Sequence, residues 1–235
     1  MGSRMVPLLA LAAAAFCYVA TETMPIGILT LIAGDLGVSA PAAGLLITGY
    51  AVLATVTTLS VAGLYAAFTY TEILLTAVTG FAAAAVAPLL LARGVADFAG
   101  IAAGGYASDR WQRGAVTGSV AVLAVSLLAM YATAASRPVT AVLLAVTGFA
   151  IGALTPALQN RVMEVAPGGT EMASAGNSVA FNIGIAAGSL LGAAVLQESG
   201  ARATALAGGL LSAAALLLFL AEPLIARRTP EMIRT

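Results

Sequence analysis

The chain has 235 residues, 61% hydrophobic and 9% charged, with a mean hydropathy of +1.03, which excludes a soluble globular domain and reads as an integral membrane protein. It has no His, no Lys and one Cys, and its ten basic residues, all Arg, are balanced by ten acids. That inventory leaves no Ser-His-Asp triad, zinc site, Schiff base, Walker A lysine or disulfide framework, and no basic cluster for nucleic acid, so no metal or cofactor is expected.

A bilayer span takes about 20 apolar residues, so this length holds roughly seven or eight spans. Arg4 precedes an apolar run that continues past Glu22 to Ala33. The run is too long for a signal-peptide core and predicts a mature transmembrane helix, with Cys17 as a small apolar residue inside it. Gly34-Asp35-Leu36-Gly37-Val38-Ser39-Ala40-Pro41 is the first turn. Residues 42–81 contain one charge, Glu72, and predict a long helix to about Tyr70 followed by a short interfacial piece. Five further spans follow at about 82–107, 114–135, 139–160, 172–196 and 203–225.

The expected fold is thus an all-α polytopic transmembrane bundle of seven helices. The alternative of eight divides 42–80 at Thr57-Thr58-Leu59-Ser60, a turn without Gly, Pro or charge. If the spans alternate, Arg110, Arg113, Arg161, Arg227, Arg228 and Arg234 share one side, and Arg137 and Arg202 the other. The positive-inside rule makes the first side cytoplasmic, with a multi-pass topology in the inner (plasma) membrane and the C-terminus inside.

Several stretches then resemble one family. Thr21-Glu22-Thr23-Met24-Pro25-Ile26-Gly27 and Ala43-Gly44-Leu45-Leu46-Ile47-Thr48-Gly49-Tyr50 resemble the first two helices of bacterial major facilitator superfamily proteins of the drug:proton antiporter and sugar-efflux type. Leu64-Tyr65-Ala66-Ala67-Phe68-Thr69-Tyr70 resembles instead the end of that family's seventh helix. Gly105-Tyr106-Ala107-Ser108-Asp109-Arg110-Trp111-Gln112-Arg113 resembles its cytoplasmic Gly-x-x-x-Asp-Arg-x-Gly-Arg loop, with Gln112 in place of the usual Gly. Pro156-Ala157-Leu158-Gln159-Asn160-Arg161 and Ala173-Ser174-Ala175-Gly176-Asn177 resemble its tenth and eleventh helices. The resemblance implies a half-size member lacking the block between helix two and helix seven. The chain is then a single transmembrane domain, 1–235, made of an extra first helix and turn (1–40), a six-helix half (41–226) and a cytoplasmic tail (227–235). It further implies efflux, with two copies restoring the two halves as a homodimer.

Charges inside spans are the informative residues, because each costs roughly 2.5–3.5 kcal/mol at a helix centre on insertion scales. Glu22 stands three residues before Pro25 in a turn that Pro25 and Gly27 loosen, where a carboxyl can meet water or ligand and carry a proton; the resemblance also places an acid there. Arg93 and Asp97 are four residues apart and share one helix face, at places the family usually leaves uncharged. They are expected either to pair and fix packing, or to form a site in which Arg93 binds an anionic or carbonyl group and Asp97 moves a proton. Tyr65 is deep enough to line a lipophilic cavity, whereas Glu72 reads as interfacial. Gln159, Asn177 and Asn182 are amides expected to bond between helices, with Gln159 and Asn182 also candidates for substrate contact. Asp109, Arg110 and Arg113 read as a conformational latch or a positive-inside turn, with Asp109 placed to accept from amides of the next helix. Gly184-x-x-x-Gly188-x-x-x-Gly192 is a small-residue stripe for close packing, within the chain or between chains.

Three functions fit: an efflux-type transporter of a lipophilic or amphipathic small molecule, proton-coupled and dimeric; a cofactor-free membrane enzyme using Arg93 with Asp97 or Glu22 for cyclisation or isomerisation; or a non-transporting membrane partner.

Overall fold

The computed structural model describes residues 40–165 and 171–228. Every regular element among them is helical: α1 (Ala40–Phe68), α2 (Thr71–Ile73) continued by a π-helical turn (Leu74–Val78), α3 (Ala83–Thr133), α4 (Arg137–Val165), α5 (Glu171–Ser199) and α6 (Ala201–Arg228). The first helix expected from the sequence, with Glu22, lies outside the described residues. Five of the six helices are long and apolar enough to cross a membrane; α2 is a single turn.

α1 runs unbroken through Thr57-Thr58-Leu59-Ser60, so the turn needed by an eight-span topology is not formed. Its hydroxyls turn into the bundle, where Thr57 and Thr58 find partners and Ser60 Oγ does not. Thr58 donates to Ala54 O at 3.0 Å, while Thr57 and Ser60 are fully buried. The piece after α1, read as interfacial, is half embedded: Thr71, Leu74 and Leu75 are buried and Glu72 is exposed.

α3 has 51 residues. Straight, it would span on the order of 75 Å, more than twice the hydrocarbon thickness of a bilayer. It folds back on itself instead. Trp111 leaves helical geometry at φ −149° and ψ 70°, and the two ends of α3 meet at one end of the bundle. There Arg137, four residues after Thr133, donates to the carbonyls of Thr79 and Gly80 just before Ala83. The element is a hairpin of two limbs, 83–110 and 112–133, and one residue does the work of the loop expected between spans. Gly114 makes this possible, since a Cβ there would collide with the Trp111 indole. Two further turns, before α3 and between α5 and α6, are closed by Gly80 at φ +79° and Gly200 at φ +81°, which L side chains rarely adopt.

Lipid tails give helices little hydrophobic reason to associate, so close approach of small residues holds such bundles together. Three seams do so here. Gly100 and Gly104 on the first limb of α3 lie against the backbone of Phe149 and Ala153 on α4, and Gly148 and Gly152 of α4 receive the backbone of Arg93 and Asp97. Gly184, Gly188 and Gly192 of α5 pack on Thr58, Ala62 and Ala66 of α1, so the stripe seen in the sequence is used within the chain. Gly63 of α1 meets Gly208 of α6. Leu53, Val56, Leu123, Leu127, Leu154 and Phe219 fill the space between, all essentially inaccessible.

Candidate functional site

Arg93, Asp97, Gly100 and Gly104 recur at spacings of four, three and four along α3 and make one stripe facing α4. The opposite face carries Leu91, Val95 and Phe98, all exposed, as a lipid-facing surface requires. The two charges are therefore carried into the bundle by the same glycine seam that joins the helices. Arg93 is 8% exposed. Its guanidinium lies over the Phe68 ring of α1 at 3.9 Å, and Phe68 meets Tyr65 edge to face at 5.8 Å. Asp97 sits against Gly152, where a Cβ would strike its carboxylate. The four-residue spacing was expected to pair Arg93 with Asp97, yet no ion pair within 4.0 Å joins them among the described residues. One side chain reaches towards α1 and the other towards α4. The tertiary structure thus brings Tyr65, Phe68 and Arg93 together with Asp97 one turn along, and Phe68, read as an interfacial anchor from its place near a helix end, carries the Arg93 contact.

Gln159 belongs to a separate polar chain. Thr57 donates to Asn177 Oδ1 at 2.8 Å, Asn177 donates to Gln159 Oε1 at 2.9 Å, and Gln159 donates to Ser174 Oγ at 2.6 Å. This ties α1, α4 and α5 together, and each amide orientation suits its neighbours. Asn182 is exposed and donates to Ser178 O of its own helix, apart from the Arg93 cluster.

The third polar group lies at the bundle end where the two limbs of α3 join. Glu222 of α6, 7% exposed, accepts from Arg161 of α4 at 2.9 Å and faces Arg113 of α3 at 3.5 Å; Arg161 also bonds Glu164 at 3.1 Å. Arg113 joins this knot, whereas Arg110 stacks on its own helix's Tyr106 at 3.8 Å. Asp109 makes no hydrogen bond or ion pair among the described residues, and not the expected one to the amides that follow it; it lines an open cleft of about 510 Å³ with Ser108, Asn160, Met163 and Glu164. Gln112, the departure from the loop pattern, donates to Ala157 O of α4 at 2.7 Å. Glu222 and Arg161 went unnoticed as site residues. The available signal was an acid inside the last apolar run, the criterion that singled out Glu22 and Asp97. At the opposite end Arg137 binds the Thr79 and Gly80 carbonyls, and Arg202 donates to Tyr131 O at 2.6 Å. Among the described side chains, Arg110, Arg113 and Arg161 therefore lie at one end and Arg137 and Arg202 at the other, as alternating spans require.

The family model described as Major Facilitator Superfamily matches residues 89–234. Among curated proteins, the chain is 35% identical over 167 residues to the uncharacterized MFS-type transporter YtbD of Bacillus subtilis, covering 69% of this chain and 42% of that protein. It is 32% identical over 178 residues to the inner membrane transport protein YdhP of Escherichia coli O157:H7, covering 75% and 45%. A probable sugar efflux transporter of Mannheimia succiniciproducens is 34% identical over 112 residues, 48% of this chain and 28% of that protein. The chain spans less than half the length of these relatives.

Proposed function

Since the chain belongs to the Major Facilitator Superfamily, we propose that it is an efflux-type membrane transporter for a lipophilic or amphipathic small molecule, coupled to protons through its intramembrane acids. The observation that carries this reading is that Arg93, against the Phe68 ring, and Asp97, against Gly152, share one face inside the bundle without closing into a contact ion pair among the described residues. A self-neutralising structural pair would close into an ion pair to offset its desolvation. A substrate site has reason to keep them open. Tyr65 and Phe68 supply apolar surface, Arg93 a fixed charge, and Asp97 and Glu22 the exchangeable protons. The knot of Arg113, Arg161 and Glu222, with Asp109 and Arg110 beside it, is the element that opens and closes the cytoplasmic end.

Two copies assemble into the working unit in this reading, because rocking-bundle transport needs two repeats around a central site. The C-terminus lies in the cytoplasm of a bacterial inner membrane, on the side that gathers Arg110, Arg113 and Arg161. The membrane-enzyme and non-transporting readings gain no support from relatives bearing transporter names.

The test is flux in proteoliposomes under an imposed pH gradient. Wild-type protein should accumulate an aromatic amphiphile only when the gradient is present. Asp97→Asn should lower that gradient-driven flux by roughly ten- to a hundredfold, the equivalent of losing one charged hydrogen-bonding group. Gradient-independent flux in wild type, or unchanged coupling in the variant, removes the proton-carrier role.

A further inference from the structure

Arg93 carries its charge into the bundle without a contact ion pair among the described residues, with Asp97 one turn along acting on it only at a distance. No carboxylate lies within 4.0 Å of it among the described residues, its Nε is buried without a hydrogen-bond partner, and the residue is 8% exposed. The buried atom left unpaired is the Nε alone, and the contact the guanidinium does make is with an aromatic face. Its geometry is nonetheless ordered, because one face of the guanidinium rests on the Phe68 ring at 3.9 Å. A guanidinium stacked by its face keeps its edges available, and the Nε–H and a neighbouring Nη–H point in parallel, matching the two oxygens of a carboxylate. The internal competitor does not close on it: Asp97, one turn along, lies against Gly152 of α4 and makes no ion pair with Arg93 within 4.0 Å. Phe68 is itself supported edge-on by Tyr65, so the charged fork stands at the end of an aromatic wall.

We propose that Arg93 is the anchor for an organic anion, a carboxylate carried on an aromatic or extended apolar body, with the carboxylate on the guanidinium edge and the body along Phe68 and Tyr65. This deepens the transporter reading and rests on it for the site's purpose, since it names the substrate class. A cationic amphiphile would meet repulsion from Arg93, and a neutral one would leave the buried Nε–H unpaired.

The test uses the full chain in phosphatidylcholine nanodiscs and three probes of one shape: 2-naphthoate, 2-naphthamide and (2-naphthyl)methylammonium. Equilibrium binding is measured for wild type, Arg93→Gln and Arg93→Lys. Wild type should bind the carboxylate at least about tenfold more tightly than the amide and more tightly still than the cation, as a charge-assisted bidentate contact requires. Arg93→Gln should abolish the preference. Arg93→Lys, which keeps the charge and loses the planar fork, should retain part of it and serves if the Gln variant does not fold. Equal binding of carboxylate and amide, preference for the cation, or an undiminished carboxylate preference in either variant overturns the proposal. Flux of the same probes separates the two levels. Arg93-dependent carboxylate binding without any flux leaves the anion site and removes the transporter, whereas amide or cation flux untouched by Arg93→Gln does the reverse.

Discussion

Glu222 lies six residues before the end of α6, yet it holds arginines from two other helices. Its worth comes from position: a nearly buried carboxylate whose removal leaves Arg113 and Arg161 facing each other. Glu222→Gln should therefore destabilise the bundle by roughly 1.5–3 kcal/mol, the usual range for a charged hydrogen bond, read as a lower melting temperature in nanodiscs. Adding Arg161→Gln should recover part of the loss, because the uncompensated charge goes with it; a fully additive double variant would count against the knot. The amide chain is a milder case. Asn177→Leu should cost about 0.6 kcal/mol, up to roughly 1.7, as interhelical bonds in membranes do, checked by the same melting experiment. At this scale the sequence was half legible. Spacing put Arg93 and Asp97 on one face, but which way each side chain leaves the helix depends on what α1 and α4 offer it, and those neighbours are distant in sequence.

Small residues do most of the joining between helices. The Gly184, Gly188, Gly192 stripe was readable from its four-residue period, while its partner on α1 was not, since a stripe specifies close approach and says nothing of what approaches. A Cβ at Gly188 would collide with the backbone of Ala62. Gly188→Val should cost about 1–3 kcal/mol through overpacking, seen as a lower melting temperature, and a cysteine pair placed across α1 and α5 should crosslink less efficiently than in the wild-type background. An unchanged crosslinking yield would argue that the seam yields to strain. The α3 hairpin carries the same lesson. The Asp109-Arg110 pattern located the reversal between spans, and the structure compressed it to Trp111 because Gly114 leaves room for the indole.

Apart from Arg93 and Asp97 inside it, the described bundle carries paired charges at its two ends, with Arg113, Arg161 and Glu222 at one and Arg137 and Arg202 at the other. If the first end is cytoplasmic, a single cysteine at Arg228, in a background with Cys17→Ala, should react with a membrane-impermeant maleimide only after spheroplasts are permeabilised, whereas one at Arg202 should react without it. The reverse pattern would invert the topology. Subunit counting in nanodiscs should find two copies per disc at saturating protein; a single copy that sustains flux would sink the homodimer.

By itself the sequence determined that this is an all-helical membrane protein of the major facilitator type, because apolar runs, loop charges and short motifs are local properties that survive without knowledge of neighbours. It also determined which residues were costly enough to demand a reason, since the burden of a charge in an apolar span is read from the span. Only the tertiary structure decided how those burdens are met: Arg93 against Phe68 with its buried Nε unpaired, Asp97 against Gly152, Gln159 inside an amide chain, and Glu222 between two arginines. Each of these is a contact between segments far apart in the chain, and its geometry is set by which helices the glycine seams allow to touch.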